Sequence, residues 1–202
     1  MSYSEFNIEE VKSRFKLQVD ARMEHFAAVT PVEVSDFLIG MLAENVPLAV
    51  AISTEKARSE FITAPVLLEA RRKTQPRVSL FSGVEFNVDP SRGLTGTCDF
   101  LIGLSPDQLT IEVPVIAVVE AKNESIKGGL GQCMAEMVGV REFNKQRGRE
   151  LPRVYGVVTT GSAWKFLSLE NDVVKVDPRE YPISELGRVV GILVSMMTAE
   201  AR

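Results

Sequence analysis

Apolar and polar positions divide this chain into short runs that read as strands and longer periodic stretches that read as helices. Pro114-Val115-Ile116-Ala117-Val118-Val119 is an unbroken apolar run closed by Glu120-Ala121-Lys122. It is too short for a helix of ordinary length and rich in β-branched residues, so it predicts a buried central strand. Thr95 to Gly103 predicts a second strand, with apolar residues around Asp99. Val154 to Leu169 predicts two more, joined by a turn at Thr160-Gly161-Ser162. Apolar residues recur at helical spacing in Ser4–Phe15, which opens with a capping residue, in Pro31–Leu42, in Ala57–Ala70 and in Ile183–Met197. Ser125 to Gly131 reads as a glycine-rich loop leading into a helix from Gln132 to Val140. Asp89–Gly93 and Leu151-Pro152 read as loops inside one domain.

The strand ends carry the candidate chemistry. Successive side chains on a strand point to opposite faces, so Glu120 and Lys122 project to the same face and Ala121 to the other. An ionised carboxylate among apolar neighbours, as at Asp99, is costly unless it is paired, hydrogen-bonded or bound to a metal. If the two strands are neighbours, Asp99 and Glu120 converge on one Mg²⁺ (or Mn²⁺), a hard cation that takes one or two protein carboxylates and completes its shell with water and phosphate. Lys122 then sits beside the attacking water. The bland alternative is an ordinary Glu120–Lys122 ion pair at a strand end.

The placement of Asp99, Glu120 and Lys122, together with the order of elements from about Glu55 to Leu169, resembles the PD-(D/E)XK, or restriction-endonuclease-like, nuclease superfamily. Within it, RecB-like nucleases and the N-terminal nuclease domains of type I restriction subunits are nearest, because they carry a Gln where this chain has Gln132. The resemblance implies an α/β fold: a restriction-endonuclease-like core with a central mixed β-sheet flanked by α-helices, and extra N-terminal helices. It also implies metal ligation by Asp99 and Glu120, catalysis with Lys122, and assistance from a helix carboxylate, Glu60, and from Gln132. The implied function is a Mg²⁺- or Mn²⁺-dependent phosphodiesterase hydrolysing nucleic acid, DNA first, with a homodimer as the expectation for cutting both strands. The alternative is a catalytically inactive nuclease-fold binding or assembly module; a third reading is a structural domain in which Glu-Ala-Lys is accidental. The chain departs from those branches at Glu136, where an aromatic residue is usual, and an added acid there opposes binding of a polyanion.

Composition bounds these readings. At 202 residues and 45% hydrophobic the chain can bury a full core. One domain over 1–202 is expected, with an N-terminal helical extension (1–50), a nuclease-like core (55–170) and a C-terminal helix (182–200). The N-terminal helices would cover the sheet or form a dimer face. No stretch is apolar enough to span a bilayer and no signal-peptide pattern opens the chain, so no membrane partner and a cytoplasmic location are expected. Cys98 and Cys133 are isolated and His25 is the single histidine, which argues against zinc, disulfides and His-based nucleophilic catalysis. Neither a P-loop nor a dinucleotide-binding motif is present. The net charge of −4 opposes simple nucleic-acid binding. Two basic clusters, Arg71-Arg72-Lys73 and Lys145–Arg149, either line a groove or are solvated helix ends. Trp164 is either core or a base-stacking platform.

Overall fold

A computed structural model describes residues 1–74 and 78–199. Residue 200, the last of the expected C-terminal helix, lies outside them. In chain order the elements are α1 (Ile8–Phe15), β1 (Gln18–Asp20), α2 (Asp36–Ile52), α3 (Glu55–Arg58), a π-helical turn (Ser59–Thr63), α4 (Ala64–Arg72), β2 (Ser79–Glu85) and β3 (Thr97–Gly103). There follow β4 (Val115–Ala121), α5 (Ile126–Gln146), β5 (Val154–Thr159), β6 (Ala163–Glu170), β7 (Val173–Val176), β8 (Tyr181–Pro182) and α6 (Leu186–Ala199).

The strands form one mixed sheet in the order β1-β7-β6-β5-β4-β3-β2, with β8 also paired to β6. β4 pairs parallel with β5 and antiparallel with β3. It is buried along its whole length, as its apolar run predicts. On one face α2, α4 and α6 pack over Ile116, Ala117, Val119, Val157 and Phe166; on the other, α1 and α5 pack over Val118, Val158 and Leu167. The protein is therefore α/β, a central mixed sheet between two helical layers.

The strands flanking the site stand where the apolar runs placed them, and Trp164 is resolved as core. It is fully buried, and its indole N–H donates to the Gly161 carbonyl at 3.0 Å within the turn. Two expectations change, and three strands are new. The glycine-rich loop is helix: Ser125 caps α5, its hydroxyl accepting from the Gly128 N–H at 3.2 Å. Two of its glycines admit close neighbours: Gly129 faces the Val158 and Lys122 side chains, and Gly131 faces other backbone. A Cβ on Gly131 would lie 2.4 Å from the Phe6 carbonyl oxygen and 2.6 Å from Asn7 Cα. The Pro31–Leu42 helix instead starts at Asp36, after the Ser35 cap, and runs on to Ile52, past Pro47. Apolar on most sides, α2 lacks the periodicity that would have marked its end. The short strands β1, β7 and β8 carry too little pattern to stand out locally, and β1 exists only as the parallel partner of β7.

The close approach at Gly131 has a measurable consequence. Gly131→Ala is expected to lower stability by about 1–3 kcal/mol, because backbone must shift to admit the methyl. Gly40→Ala, on the open side of α2 with nothing within 4 Å of the new carbon, is expected to stabilise by up to about 1 kcal/mol. Thermal unfolding of the two variants checks the contrast.

Candidate active site

The β3–β4 register sets Phe100 opposite Val119, which carries Asp99 level with Glu120 one step further on. Asp99 reaches across the ladder, its Oδ2 accepting the Ala121 N–H at 2.8 Å. The Lys122 N–H donates to the Thr159 carbonyl at 2.7 Å, which fixes the end of β4 against β5. Carboxylates and ammonium thus gather where the parallel pair β4–β5 ends, the usual position for sites on such sheets.

Lys122 is the hub. Its Nζ lies 2.5 Å from Glu120 Oε1 and 3.9 Å from Glu55 Oε2, and it donates to Gln132 Oε1 at 3.2 Å. Gln132 Nε2 in turn donates to Glu136 Oε1 at 3.0 Å. Gln132 and Glu136 are one turn apart on α5 and so share a face. The structure therefore brings Asp99, Glu120, Lys122 and Gln132 together.

Glu60 is the exception. Its carboxylate pairs with Lys56 at 2.9 Å and is 53% exposed, and among the described residues no contact joins it to the cluster. The helix carboxylate beside Lys122 is Glu55, which the sequence reading passed over. Five residues along a helix turn a side chain through about 140°, so Glu55 and Glu60 cannot both face the site. Glu55 begins α3 after the Thr54 cap and resembles any first-turn acid. Arg58, three residues on, ties this helix to the strand ends: Nε donates to Asn123 Oδ1 at 3.1 Å and Nη1 to the Thr160 carbonyl at 3.0 Å. The π-helical turn follows directly.

The acid at 136 does not face a substrate path. Glu136 is wholly buried beneath Gln132. Burial, and then the neighbouring Glu120 charge, push its carboxyl well above the usual range, which disfavours the charge that would repel a polyanion. Burial likewise raises Glu120 to about 7, helped by Asp99 and opposed by Lys122. Asp99 is raised by burial, against the pull of the Ala121 N–H and Lys122. Burial works against the Lys122 ammonium, but Glu120, Glu55 and Asp99 outweigh it and the net shift is upward. At neutral pH Lys122 is therefore a fixed cation and not a base. Oε2 of Glu120 and Oε2 of Glu136 are both buried without a partner.

The remaining candidates lie elsewhere. Burial raises the Cys98 and Cys133 thiols far above the thiolate range, which removes them as nucleophiles. Arg71 bonds the Val78 carbonyl at 2.8 Å, while Arg72 and Lys73 pair with Glu69. That cluster is used within the fold. Lys145, Arg147 and Arg149 sit exposed at the far end of α5, roughly 20 Å along the helix from Gln132.

No protein-family model, curated protein or solved structure gives a significant match to the chain. What fold and site define is thus an α/β domain with a buried carboxylate–lysine cluster at the end of its central parallel strands. No helix among the described residues is long and apolar enough to cross a membrane.

Proposed function

We propose that this protein is a divalent-metal-dependent phosphodiesterase of restriction-endonuclease-like architecture, acting on nucleic acid and first of all on DNA. One observation carries the reading: two carboxylates from adjacent strands, Asp99 and Glu120, converge with the Lys122 ammonium at a sheet end, and Glu120 keeps a buried oxygen without a partner.

That bare oxygen and the all-oxygen donor set suit Mg²⁺ or Mn²⁺. No group of three or more His, Cys, Asp or Glu side chains is arranged to hold a metal among the described residues; a hard cation needs only one or two protein carboxylates, which Asp99 and Glu120 would provide. Such a cation supplies Lewis acidity toward a phosphate oxygen and acidifies water. The chain's own residues do the rest. Lys122 holds its charge and three donors beside the reacting phosphate, stabilising the negative charge that develops on it. Gln132 fixes the direction of that ammonium. Glu55, half exposed and beside Lys122, offers an acceptor to a water at the mouth of the site. The first turn of α5 adds the positive end of its dipole.

A second reading, a nuclease-fold binding or assembly module without activity, draws support from the charge distribution. The net charge is −4, the Arg71–Lys73 cluster is consumed within the fold, and the exposed basic cluster lies far from the site. One experiment separates the two readings: incubation of wild type and Lys122→Ala with Mn²⁺ and supercoiled or single-stranded DNA, beside calorimetric titration with Mn²⁺. The wild type is expected to cleave, and Lys122→Ala to lose about 10²- to 10³-fold in rate while still binding the metal. A wild type that binds Mn²⁺ and cuts neither DNA favours the module.

A further inference from the structure

Gln132 has two amide ends and a fixed division of labour. The Lys122 ammonium is only a donor, so the amide oxygen must face it, and the observed 3.2 Å bond is that contact. The amide nitrogen then points the other way and needs an acceptor, which Glu136 Oε1 supplies at 3.0 Å. Glu136 is fully buried and Gln132 half-buried, so the bond is closed to water on its Glu136 side. With no acceptor at 136 the Nε2 group would be stranded, and rotating the amide to relieve it would set two donors, Nε2 and Nζ, against each other.

We propose that Glu136 is a positioning residue of this site: acting through Gln132, it locks the Lys122 ammonium against Glu120. Lys122 needs such a brace because its other contacts leave its direction open. Glu120 grips it closely, but Glu55 is 3.9 Å away and 48% exposed, and a flexible four-carbon stem carries the charge. Glu136 and Gln132 reach Lys122 from α5, itself pinned at its far end where Asn144 exchanges two hydrogen bonds with the Val115 backbone. A second point supports the arrangement. A buried acid with no structural task is a standing cost that an apolar residue would remove, and here its carboxyl oxygen accepts from Gln132. The consequence for catalysis rests on the phosphodiesterase reading; the positioning itself does not.

The test uses the full chain with ¹³C-labelled lysine, the Lys122 signal being identified by its loss in Lys122→Ala. Glu136→Met keeps length and removes the acceptor; Glu136→Gln restores an acceptor for the amide. In the Met variant the Lys122 ε-methylene order parameter is expected to fall, and Gln to bring it back. With Mn²⁺ and supercoiled plasmid DNA, the Met variant is expected to lose about 10- to 100-fold in kcat, the usual scale for a residue supporting a catalytic group. KM is expected to stay within roughly twofold, since ground-state binding is untouched. Folded Met protein with unchanged Lys122 order overturns the proposal, as does a Gln variant as loose as Met. If Met does not fold, Glu136→Asp carries the same test, withdrawing the acceptor by one methylene, with the same loosening expected and the same null result overturning it. A wild type that neither binds Mn²⁺ nor cuts DNA defeats the phosphodiesterase reading alone, because the order parameter still decides the positioning.

Discussion

Glu120→Gln is expected to abolish Mn²⁺ binding and to lower any DNA cleavage by about a thousandfold or more, the scale of losing a group that acts on the reacting centre. The carboxylate stands between the Lys122 ammonium and Asp99. Oε1 holds Lys122 at 2.5 Å, Oε2 is bare and buried, and Asp99 lies level with it on the next strand. An amide of the same shape keeps the packing but offers no negative charge to a hard cation, and its NH₂ group would oppose the Lys122 donors. Asp99→Asn is expected to behave the same way, with an added penalty if the amide turns its NH₂ toward the Ala121 N–H. Calorimetry with Mn²⁺ on the wild type and both variants checks this, with circular dichroism to show that each is folded. Binding retained at wild-type affinity in either variant would remove that residue from the ligand set.

The second large effect is on the pH dependence of the metal-free fold. Glu120 holds its proton to about pH 7 in the folded protein and releases it near its ordinary 4.5 when unfolded. Between those values the folded state binds more protons, so stability falls as pH rises. The contribution is fully present below pH 4.5 and lost as pH passes through 7. Each pKa unit is worth about 1.4 kcal/mol, which makes the loss from Glu120 about 3 kcal/mol. Glu136 and Asp99 are raised too, and act in the same direction. Urea unfolding at pH 5 and pH 8 is expected to show the drop, and Glu120→Gln to flatten it. Mn²⁺ is expected to offset most of the Glu120 part of that drop, because cation binding draws on the deprotonated carboxylates. At a hundred times its dissociation constant the cation would return about 2.7 kcal/mol at pH 8. A wild-type protein more stable at pH 8 than at pH 5 without metal would contradict the burial of this cluster.

The cluster also explains which parts of the site were legible beforehand. Glu120 and Lys122 are two apart on a strand, and Asp99 interrupts an apolar run; both signals are local. Gln132 and Glu60 came from a resemblance. Gln132 falls at the site because α5 follows β4 directly and returns along it. Glu60 does not, because the phase of the α3–π–α4 helix turns it outward and presents Glu55. That phase is set by contacts distant in sequence, namely Arg58 on Asn123 and on the Thr160 carbonyl. Glu136 is expected from the sequence to oppose a polyanion near the substrate path, yet it is wholly buried in α5, across which the N-terminal segment packs at Gly131 and Gly139.

Taken by itself, the sequence determined the strands that carry the acids, the pairing of Glu120 with Lys122 on one face, and the burial of Trp164 as one of two stated options. These follow from a two-residue repeat and from the size of apolar runs, which need no knowledge of distant neighbours. Only the tertiary structure decided that the stretch from Ile126 to Gly131 is helix, that β1 joins the sheet, which helix carboxylate meets Lys122, and that a buried acid supports Gln132. Each of those depends on backbone or side chains brought together from far along the chain, where close approach and exclusion of water override what a local stretch prefers.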